Sequence, residues 1–264
     1  MDHEEVGRYW NENAEVWTEL VRAGYDHYRE GLNTPAFFEM LPGVDGLSGL
    51  DVGCGEGHNT RLLAERGARM TGIDISRNYV RYAREAARPL GIRYENASAA
   101  QLPFENASFD FVVAFMSLMD IPETERVLAE VFRVLRLGGF FQFSITHPCF
   151  DTPHRKNLRD ETGYTYAIEV GDYFGGREGE AEEWLFHAAP PEVREGLPPF
   201  RIPVFMRTLS SWLNKLVEAD FVLEHFGEPS PSDEAVQERP GLQDAQIVAS
   251  FLHVRARKLA GMTD

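Results

Sequence analysis

A glycine-rich turn between two acidic residues is the part of this chain best suited to chemistry. Gly53, Gly55 and Gly57 stand at alternate positions directly after a short apolar run, and that run contains Asp51. Glycines in a strand-to-helix turn let the backbone approach a ligand closely. Asp74 ends the next apolar run, about 20 residues beyond the first glycine, where a carboxylate can accept hydrogen bonds from ribose hydroxyls. The turn and the second acid together indicate a site for an adenosine-type ligand.

The spacing of the glycines distinguishes between two kinds of adenosine ligand. A pyrophosphate-bearing dinucleotide is usually bound by the pattern G-x-G-x-x-G. Here the pattern is G-x-G-x-G, and Asp51 stands two residues before its first glycine. A carboxylate at that place repels a pyrophosphate and attracts a positive group such as an ammonium or a sulfonium. The pattern therefore favours a cationic adenosine ligand, and a nicotinamide-dependent oxidoreductase is the less favoured alternative.

Several segments in the first half of the chain match the pattern of a known family. The turn reads LDVGCGEG over 50–57, GIDIS follows over 72–76, and SAAQLPFENASFDFVV follows over 98–113. The segment ERVLAEVFRVLRLGGFFQFS over 125–144 completes the pattern. In these segments the chain resembles the Rossmann-like (class I) S-adenosylmethionine-dependent methyltransferases. The resemblance implies S-adenosylmethionine as the cofactor and S-adenosylhomocysteine as its product.

The resemblance also implies roles for individual residues. Asp74 would accept hydrogen bonds from the ribose, Ile75 would lie against the adenine, and the N–H of Ala99 would bind the ring. Ser98 stands where relatives often carry an acid for the adenine amine, and a hydroxyl accepts that bond more weakly than a carboxylate. Apart from the resemblance, Arg29 in the second predicted helix is a candidate to bind the cofactor's carboxylate or an acidic substrate, with a surface salt bridge as the favoured alternative. The residues expected near the methionine part of the cofactor are Asp51, Gly53, Cys54, Gly55 and Met116.

Methyl transfer from a sulfonium is an in-line displacement, so the protein mainly has to align the nucleophile with the breaking bond. A general base is needed only where the nucleophile still holds its proton. His147 directly follows the predicted fifth strand and is the candidate catalytic base; the alternative is a histidine hydrogen-bonded into the turn before Pro148. Asp120, after the predicted fourth strand, is a further candidate, for which the cap of the helix that begins at Pro122 is the favoured alternative. His154 and Asp151 in the insertion are less favoured candidates. A single histidine base favours oxygen over nitrogen as the nucleophile.

Aromatic residues outside the glycine-rich region predict an apolar pocket for the acceptor. Core packing is the alternative for each of them. The prediction is a small organic acceptor, and a chain that binds the cofactor without catalysis and acts through a partner is the second hypothesis. The residues expected to line this pocket are Trp10, Tyr25, Tyr28, Tyr164, Tyr173 and Trp184.

The elements that position these residues alternate between strands and helices. Apolar runs predict five strands up to Thr146, and a further helix and two strands close the chain. This alternation is typical of a doubly wound, mostly parallel α/β sheet, here a Rossmann-like one with seven strands, and the resemblance implies an antiparallel last strand. The predicted parts are an N-terminal helical cap (1–42), the core (43–147 and 204–264) and a substrate-covering insertion after the fifth strand (148–203).

Composition limits the partners of the 264-residue chain, whose net charge is −16. Proteins that bind nucleic acids usually present a basic face, so a small-molecule substrate is expected rather than a nucleic acid or an anionic membrane. No apolar run reaches the length of about 20 residues that spans a bilayer. With only Cys54 and Cys149, neither a disulfide framework nor a metal site is expected, and a cytoplasmic location is predicted. The oligomeric state is left open.

Overall fold

The computed structural model of the chain describes residues 1–87 and 90–259. These residues form strands separated by helices up to β5, as the alternation of the sequence predicts. The strands are β1 Ser48–Val52, β2 Arg69–Asp74, β3 Arg93–Asn96, β4 Phe109–Phe115, β5 Leu135–Thr146, β6 His154–Arg159, β7 Thr165–Gly171, β8 Glu178–Trp184, β9 Phe200–Phe205, β10 Val222–Gly227 and β11 Phe251–Arg257.

Seven of these strands form one sheet in the order β10-β11-β5-β4-β1-β2-β3. The strands β1 to β5 pair in parallel wherever they are neighbours, and β11 runs antiparallel to both β5 and β10. The predicted fold class is confirmed: a Rossmann-like, mostly parallel seven-stranded sheet with an antiparallel last strand.

Helices cover both faces of this sheet. Asp2, Ser76 and Thr208 each accept a hydrogen bond from the N–H three residues further on, so the local sequence determines where α1, α4 and α7 begin. A π-helical turn spans Arg29–Asn33, and 3₁₀ turns span Leu118–Asp120 and Pro240–Gln246. The helices are α1 His3–Arg22, α2 Thr34–Met40, α3 His58–Glu65, α4 Arg77–Ala86, α5 Thr124–Val134, α6 Pro191–Arg194, α7 Leu209–Glu218 and α8 Asp233–Glu238.

The central strand β4 is apolar on both sides because both of its faces are covered. Val112 belongs to the cluster that contains Val127 and Val131 of α5. Phe111 belongs to the opposite cluster, which contains Phe37 of α2. A strand buried on both faces is expected to form a continuous apolar run, as this one does.

The fifth helix is shorter than its apolar pattern suggests. The pattern predicts a helix that stops at the glycine pair 138–139, but α5 ends at Val134 and β5 begins at Leu135. A Cβ on Gly139 would lie 2.8 Å from the carbonyl oxygen of Asp110 and 2.9 Å from that of Arg136. This glycine therefore allows two backbones to meet in the sheet rather than ending a helix.

The insertion after β5 consists mainly of two hairpins that are separate from the large sheet. In one of them β6 pairs antiparallel with β7, and in the other β8 pairs antiparallel with β9. The strand β7 contains most of the β-like run predicted over 164–170.

The polar composition of the segment 230–244 predicts a surface loop, and this prediction is wrong. This segment contains α8 and most of the second 3₁₀ turn. Leu242 is completely buried beside Leu32 and Phe251, so one apolar side chain anchors a stretch that is otherwise polar. Leu242 approaches the π-helical turn at Gly31, where an added Cβ would lie 2.7 Å from its Cδ1.

Candidate active site

A cavity of about 1420 Å³ lies at the carboxyl ends of β1, β2, β4 and β5. The turn after β1, the end of β2 at Asp74 and the end of β5 at Thr146 form part of its wall. Residues of α1 and of the insertion line the rest of it. Ligands of open α/β sheets bind at this edge, so the glycine-rich turn is positioned as the sequence predicts.

The turn after β1 uses its N–H groups inside the protein. The N–H groups of Gly53 and Cys54 both donate to the carbonyl oxygen of Ile73, each over 2.9 Å. The N–H of Gly55 donates to Oδ2 of Asp74, also over 2.9 Å. These three residues therefore offer no free N–H to a phosphate. The arrangement is unfavourable for a pyrophosphate, which needs such donors.

Two glycines of this turn have different roles. Both have positive φ, +70° at Gly53 and +54° at Gly55. A Cβ on Gly53 would lie 2.4 Å from Cβ of Ser117, so that glycine lets the ends of β1 and β4 approach each other. A Cβ on Gly55 would meet no atom within 4 Å. Because Gly55 lines the cavity, its missing side chain leaves space for a ligand.

Asp74 is held at the end of β2 by two backbone donors. Its Oδ1 accepts from the N–H of Ser76 over 2.8 Å, and its Oδ2 accepts from Gly55. A carboxylate can accept about four hydrogen bonds, so both oxygens keep capacity for ligand hydroxyls. Burial raises the pKa of Asp74 to about 6, although these two N–H groups oppose the shift.

Asp51 carries an unsatisfied oxygen in the buried wall of the cavity. Its Oδ2 accepts from the Thr60 hydroxyl over 2.6 Å, whereas its Oδ1 has no hydrogen-bond partner. Burial raises the pKa of Asp51 to about 7; the Thr60 hydrogen bond opposes this shift and the charge of Asp74 adds to it. A buried acceptor without a partner is costly. A cationic ligand group would satisfy it.

Arg29 lies at the cavity because the π-helical turn begins at this residue. Its Nη2 donates to the carbonyl oxygen of Val21 over 3.1 Å and to Oε1 of Glu30 over 3.5 Å. Its Nε lies 4.0 Å from Oδ2 of Asp26, and its Nη1 lies 4.0 Å from Oε1 of Glu56. Its Nε is buried and has no acceptor. One Arg29 donor thus remains for a ligand carboxylate. A π-helical turn often marks a functional site.

The predicted adenine-binding residues lie together on another part of the wall. Ile75, Ser98 and Ala99 all line the cavity. The hydroxyl oxygen of Ser98 already accepts from the N–H of Ala100 over 3.2 Å. Ile75 is covered by α1 at Gly7, where an added Cβ would lie 3.0 Å from its Cγ1. The N-terminal helix therefore closes this end of the cavity.

Met116 and Cys54 also line the cavity, as predicted for the methionine end. Met116 has a positive φ of 50°, which is uncommon for a residue with a side chain. Its N–H donates to the carbonyl oxygen of Ser144 over 3.0 Å, which holds the strained backbone in place. Burial, followed by the charges of Asp74 and Asp51, raises the pKa of the Cys54 thiol well above its usual value.

His147 does not line the cavity, contrary to its predicted role as the base. It is buried, its Nδ1 accepts from the N–H of Cys149 over 3.2 Å, and its Nε2 lies 2.8 Å from Oε1 of Glu228. With Nδ1 as the acceptor, Nε2 carries the proton and donates to Glu228. Both ring nitrogens are thus occupied in the turn after β5, which corresponds to the alternative noted for this histidine.

Five of the six predicted pocket aromatics line the cavity, namely Trp10, Tyr25, Tyr28, Tyr173 and Trp184. The prediction for Tyr164 is not supported, because this residue is 48% exposed and lies away from the cavity wall. Trp184 stacks on Trp17 of α1, with ring centroids 4.9 Å apart. The aromatic contact therefore joins α1 to the insertion beside the cavity.

Sequence reasoning ranked two charged residues of the cavity wall, Asp120 and Asp151, below His147 as candidate bases, and it missed Arg207. Asp120 lines the cavity and does not cap α5, whose N-cap is Glu123. Arg207 and Asp151 line the cavity as well. The position of Asp120 after β4 was an available signal, whereas Arg207 lies two residues after β9 and carries no local motif.

Among residues 1–87 and 90–259, no helix is both long and apolar enough to cross a membrane. The same residues contain no cluster of three or more His, Cys, Asp or Glu side chains arranged to hold a metal ion.

Comparisons with known proteins point to one family. Residues 50–143 match the family described as a methyltransferase domain. The methyltransferase GfsG of Streptomyces halstedii is 34% identical over 153 residues, which are 51% of this chain and 55% of that protein. A fatty-acid O-methyltransferase of Mycolicibacterium smegmatis is 35% identical over 112 residues, 42% of this chain and 41% of that protein. The chain thus spans about half the length of these curated relatives.

The fold has close counterparts among solved structures. The S-adenosylmethionine-dependent methyltransferase of Mesorhizobium loti superposes with a TM-score of 0.69 at 29% identity. That superposition covers 84% of this chain and 96% of the other. The likeness therefore extends beyond the segment matched by the family.

Proposed function

The chain belongs to the class I S-adenosylmethionine-dependent methyltransferases, and we propose that it methylates a small organic acceptor, at oxygen in preference to nitrogen. The observation that carries this proposal is that the glycine-rich turn and the aromatic residues of the insertion line the same cavity. A cofactor on the turn would be in direct reach of an acceptor under the insertion.

The residues of the turn fit S-adenosylmethionine. The free Oδ1 of Asp51 suits the ammonium of its methionine part, and the free Nε of Arg29 suits the carboxylate. Asp74 keeps capacity for the ribose hydroxyls, and Ile75 with Ala99 borders the space for adenine. When bound, the cofactor supplies a methyl group on a sulfonium, a good leaving group.

The acceptor side is lined by aromatic side chains as well as by charged ones. Aromatic side chains from α1 and from the insertion surround it, including Trp10, Tyr173 and Trp184. Such walls suit an apolar acceptor of small-molecule size and not a folded macromolecule. The net charge of −16 is likewise unfavourable for a nucleic acid. A relative that acts as a fatty-acid O-methyltransferase supports an oxygen nucleophile.

Calorimetry followed by a transfer assay tests the proposal. Titration with S-adenosylhomocysteine should show one site per chain, and titration with NADH should show none. The chain is then incubated with S-adenosylmethionine labelled in its methyl group and a metabolite extract. Label in a small product supports the proposal. Binding without any transferred label would favour the non-catalytic hypothesis, and binding of NADH alone would favour an oxidoreductase.

A further inference from the structure

We propose that Asp120 is the proton-accepting residue of the acceptor site and that the acceptor's nucleophile is a hydroxyl group hydrogen-bonded to it. This inference rests on the proposed function and deepens it, since it assigns the base and thereby the state of the acceptor. Asp120 lines the cavity at the end of the 3₁₀ turn that follows β4, and its carboxyl forms neither a hydrogen bond nor an ion pair with any residue of 1–87 or 90–259.

The backbone places Asp120 close to the cofactor turn. The N–H of Asp120 donates to the carbonyl oxygen of Ser117 over 3.2 Å, which closes a 3₁₀ turn. The Ser117 hydroxyl donates to the carbonyl oxygen of Val52 over 2.7 Å, and Val52 directly precedes Gly53. A 3₁₀ turn rises about 2 Å per residue, so Asp120 stands about 6 Å along the chain axis from a residue that touches the cofactor turn.

Arg207 fixes the chain beside Asp120 without neutralising it directly. Its Nη2 donates to the carbonyl oxygens of Ile121 and Pro122, over 2.8 Å and 3.0 Å, and its Nη1 donates to that of Phe205 over 3.1 Å. Three of the five guanidinium donors are therefore used on carbonyl groups. The carboxyl of Asp120 remains available to a ligand that carries a proton.

Asp120 has no structural task at the start of α5. The N-cap of this helix is Glu123, and Asp120 accepts no hydrogen bond from the first N–H groups of α5. Asp120 is half-buried in the cavity wall, and a carboxyl that is partly removed from water without a partner carries a cost in free energy. Such an uncompensated group is typical of a catalytic position.

Several charged groups face Asp120. Burial raises its pKa well above the usual value; the charge of Arg207 opposes this shift and that of Asp151 adds to it. Burial raises the pKa of the Tyr79 phenol of α4, and the charge of Asp120 makes a smaller contribution in the same direction. The charges of Glu178 of β8 and of Asp120 both act on Arg207. A base of raised pKa is better matched to a hydroxyl proton than an ordinary carboxylate is.

The proposed step conserves atoms and charge. The hydroxyl oxygen of the acceptor forms the new bond to the methyl carbon, and the electron pair of the breaking C–S bond remains on sulfur. The hydroxyl proton passes to the carboxylate of Asp120, which becomes a neutral carboxylic acid. Release of this proton to solvent restores the carboxylate. An acceptor that is already ionised would not need Asp120.

The test compares Asp120→Asn with Asp120→Glu and with the control Asp220→Asn, which alters an exposed aspartate before β10. Affinity for S-adenosylhomocysteine should stay within about threefold in all variants, because Asp120 contacts the acceptor and not the cofactor turn. With hydroxylated acceptors, Asp120→Asn should lower kcat by about a hundredfold or more at similar KM. Asp120→Glu should keep the rise of rate with pH that Asp120→Asn loses.

A measurement that does not depend on methyl transfer tests the assignment of Asp120 separately from the proposed function. Carbon NMR of aspartate-labelled protein should show a carboxyl that titrates above the ordinary range and is missing only in Asp120→Asn. An ordinary titration of this carboxyl, or an Asp120→Asn variant that keeps most of its turnover, would overturn the assignment of Asp120. Failure of the wild-type chain to bind S-adenosylhomocysteine or to transfer methyl groups would instead overturn the proposed function.

Discussion

The N–H of Gly55 and Oδ2 of Asp74 are joined by a hydrogen bond of 2.9 Å. This bond connects the turn after β1 with the end of β2, so the two groups expected to hold the methionine part and the ribose form one unit. A change in one of them should therefore affect the other, and the predictions below begin with this turn.

Alanine at Gly53 and alanine at Gly55 should have different consequences. At Gly53 the new Cβ would lie 2.4 Å from Cβ of Ser117, so Gly53→Ala should destabilise the fold itself. At Gly55 the Cβ meets nothing within 4 Å, so the cost to the fold should be the positive φ alone, about 1–2 kcal/mol. Urea unfolding measures both variants. Calorimetry of Gly55→Ala should show an affinity for S-adenosylhomocysteine lowered by about tenfold or more, since a methyl group fills ligand space.

The amino-acid end of the cofactor should depend on Asp51 and Arg29. Asp51→Asn removes the partner of the ligand's ammonium, and Arg29→Gln removes the partner of its carboxylate. Each variant should therefore bind S-adenosylhomocysteine with an affinity lowered by about tenfold or more. Methylthioadenosine lacks both groups, and its affinity should change little. The control is Arg126→Gln, which breaks only an exposed ion pair with Glu123. Equal losses for the two ligands would contradict the assignment.

The raised pKa of Asp51 predicts that the difference in stability between the wild type and Asp51→Asn depends on pH. In the ligand-free protein its pKa is about 7, above the ordinary 3.8, so between these values the folded chain binds more protons than the unfolded chain. The free energy of unfolding then falls as the pH rises, and the loss is complete above about pH 7. Asp51→Asn removes this contribution. At pH 8 the free energy of unfolding of the variant should therefore exceed that of the wild type by on the order of 1–3 kcal/mol.

The comparison between these two proteins is needed because other groups titrate as well. Burial lowers the pKa of His253 to about 4, which gives a slope of opposite sign. That contribution cancels in the difference between wild type and variant. Urea unfolding at pH values from about 5 to about 8 measures the difference. If the difference in free energy of unfolding between Asp51→Asn and the wild type did not grow with pH, Asp51 would have an ordinary pKa in the folded protein.

Replacing His147 should affect stability more than catalysis. His147→Ala removes the hydrogen bonds to Glu228 and Cys149 in the turn after β5, so a loss of about 1–3 kcal/mol is expected. Turnover should remain within about threefold of the wild type, because the ring lies outside the cavity wall. His147→Gln, which can still donate to Glu228, is the matched control. A hundredfold loss of turnover at unchanged stability would restore the histidine as the base.

The contact between α1 and the insertion should control access to the acceptor side. Trp17 stacks on Trp184 and lies edge-on to Phe186 and Phe200, with centroids 4.8–5.1 Å apart. Trp17→Ala should cost about 3–5 kcal/mol if these contacts are lost. The insertion should then be cleaved faster in limited proteolysis, while affinity for S-adenosylhomocysteine stays close to normal. An unchanged cleavage rate would show that the insertion holds its position without α1.

Much of the fold follows from local patterns. The apolar run at β4, the helix cap at Ser76 and the glycines after β1 each act within a few residues, so their structural roles can be predicted from sequence alone. The segment over 230–244 could not be predicted in this way. Its order depends on Leu242 packing beside Gly31, a contact between residues far apart in the chain.

The residues of the candidate site likewise fall into those that could be predicted from the sequence and those that could not. Asp51 and Asp74 could be placed because each ends or precedes a recognisable strand and turn. The orientation of the His147 ring depends on its hydrogen bond to Glu228, which comes from a distant part of the chain. Asp120 was assigned to the wrong role for a similar reason, because the groups around it arrive from β5 and from the end of the insertion. Chain position locates a strand end, but long-range contacts decide which side chain there meets the ligand.

Within the described residues, no strand of the insertion pairs with the large sheet, since β6 pairs with β7 and β8 pairs with β9 in two separate small sheets. Substitutions there can reshape the acceptor side without disturbing the register of the seven strands or the turn after β1. Divergent members built on this plan can therefore acquire new acceptors by drift within the insertion, 148–203. In the laboratory, a library confined to this region should yield altered selectivity while retaining the same methyl donor.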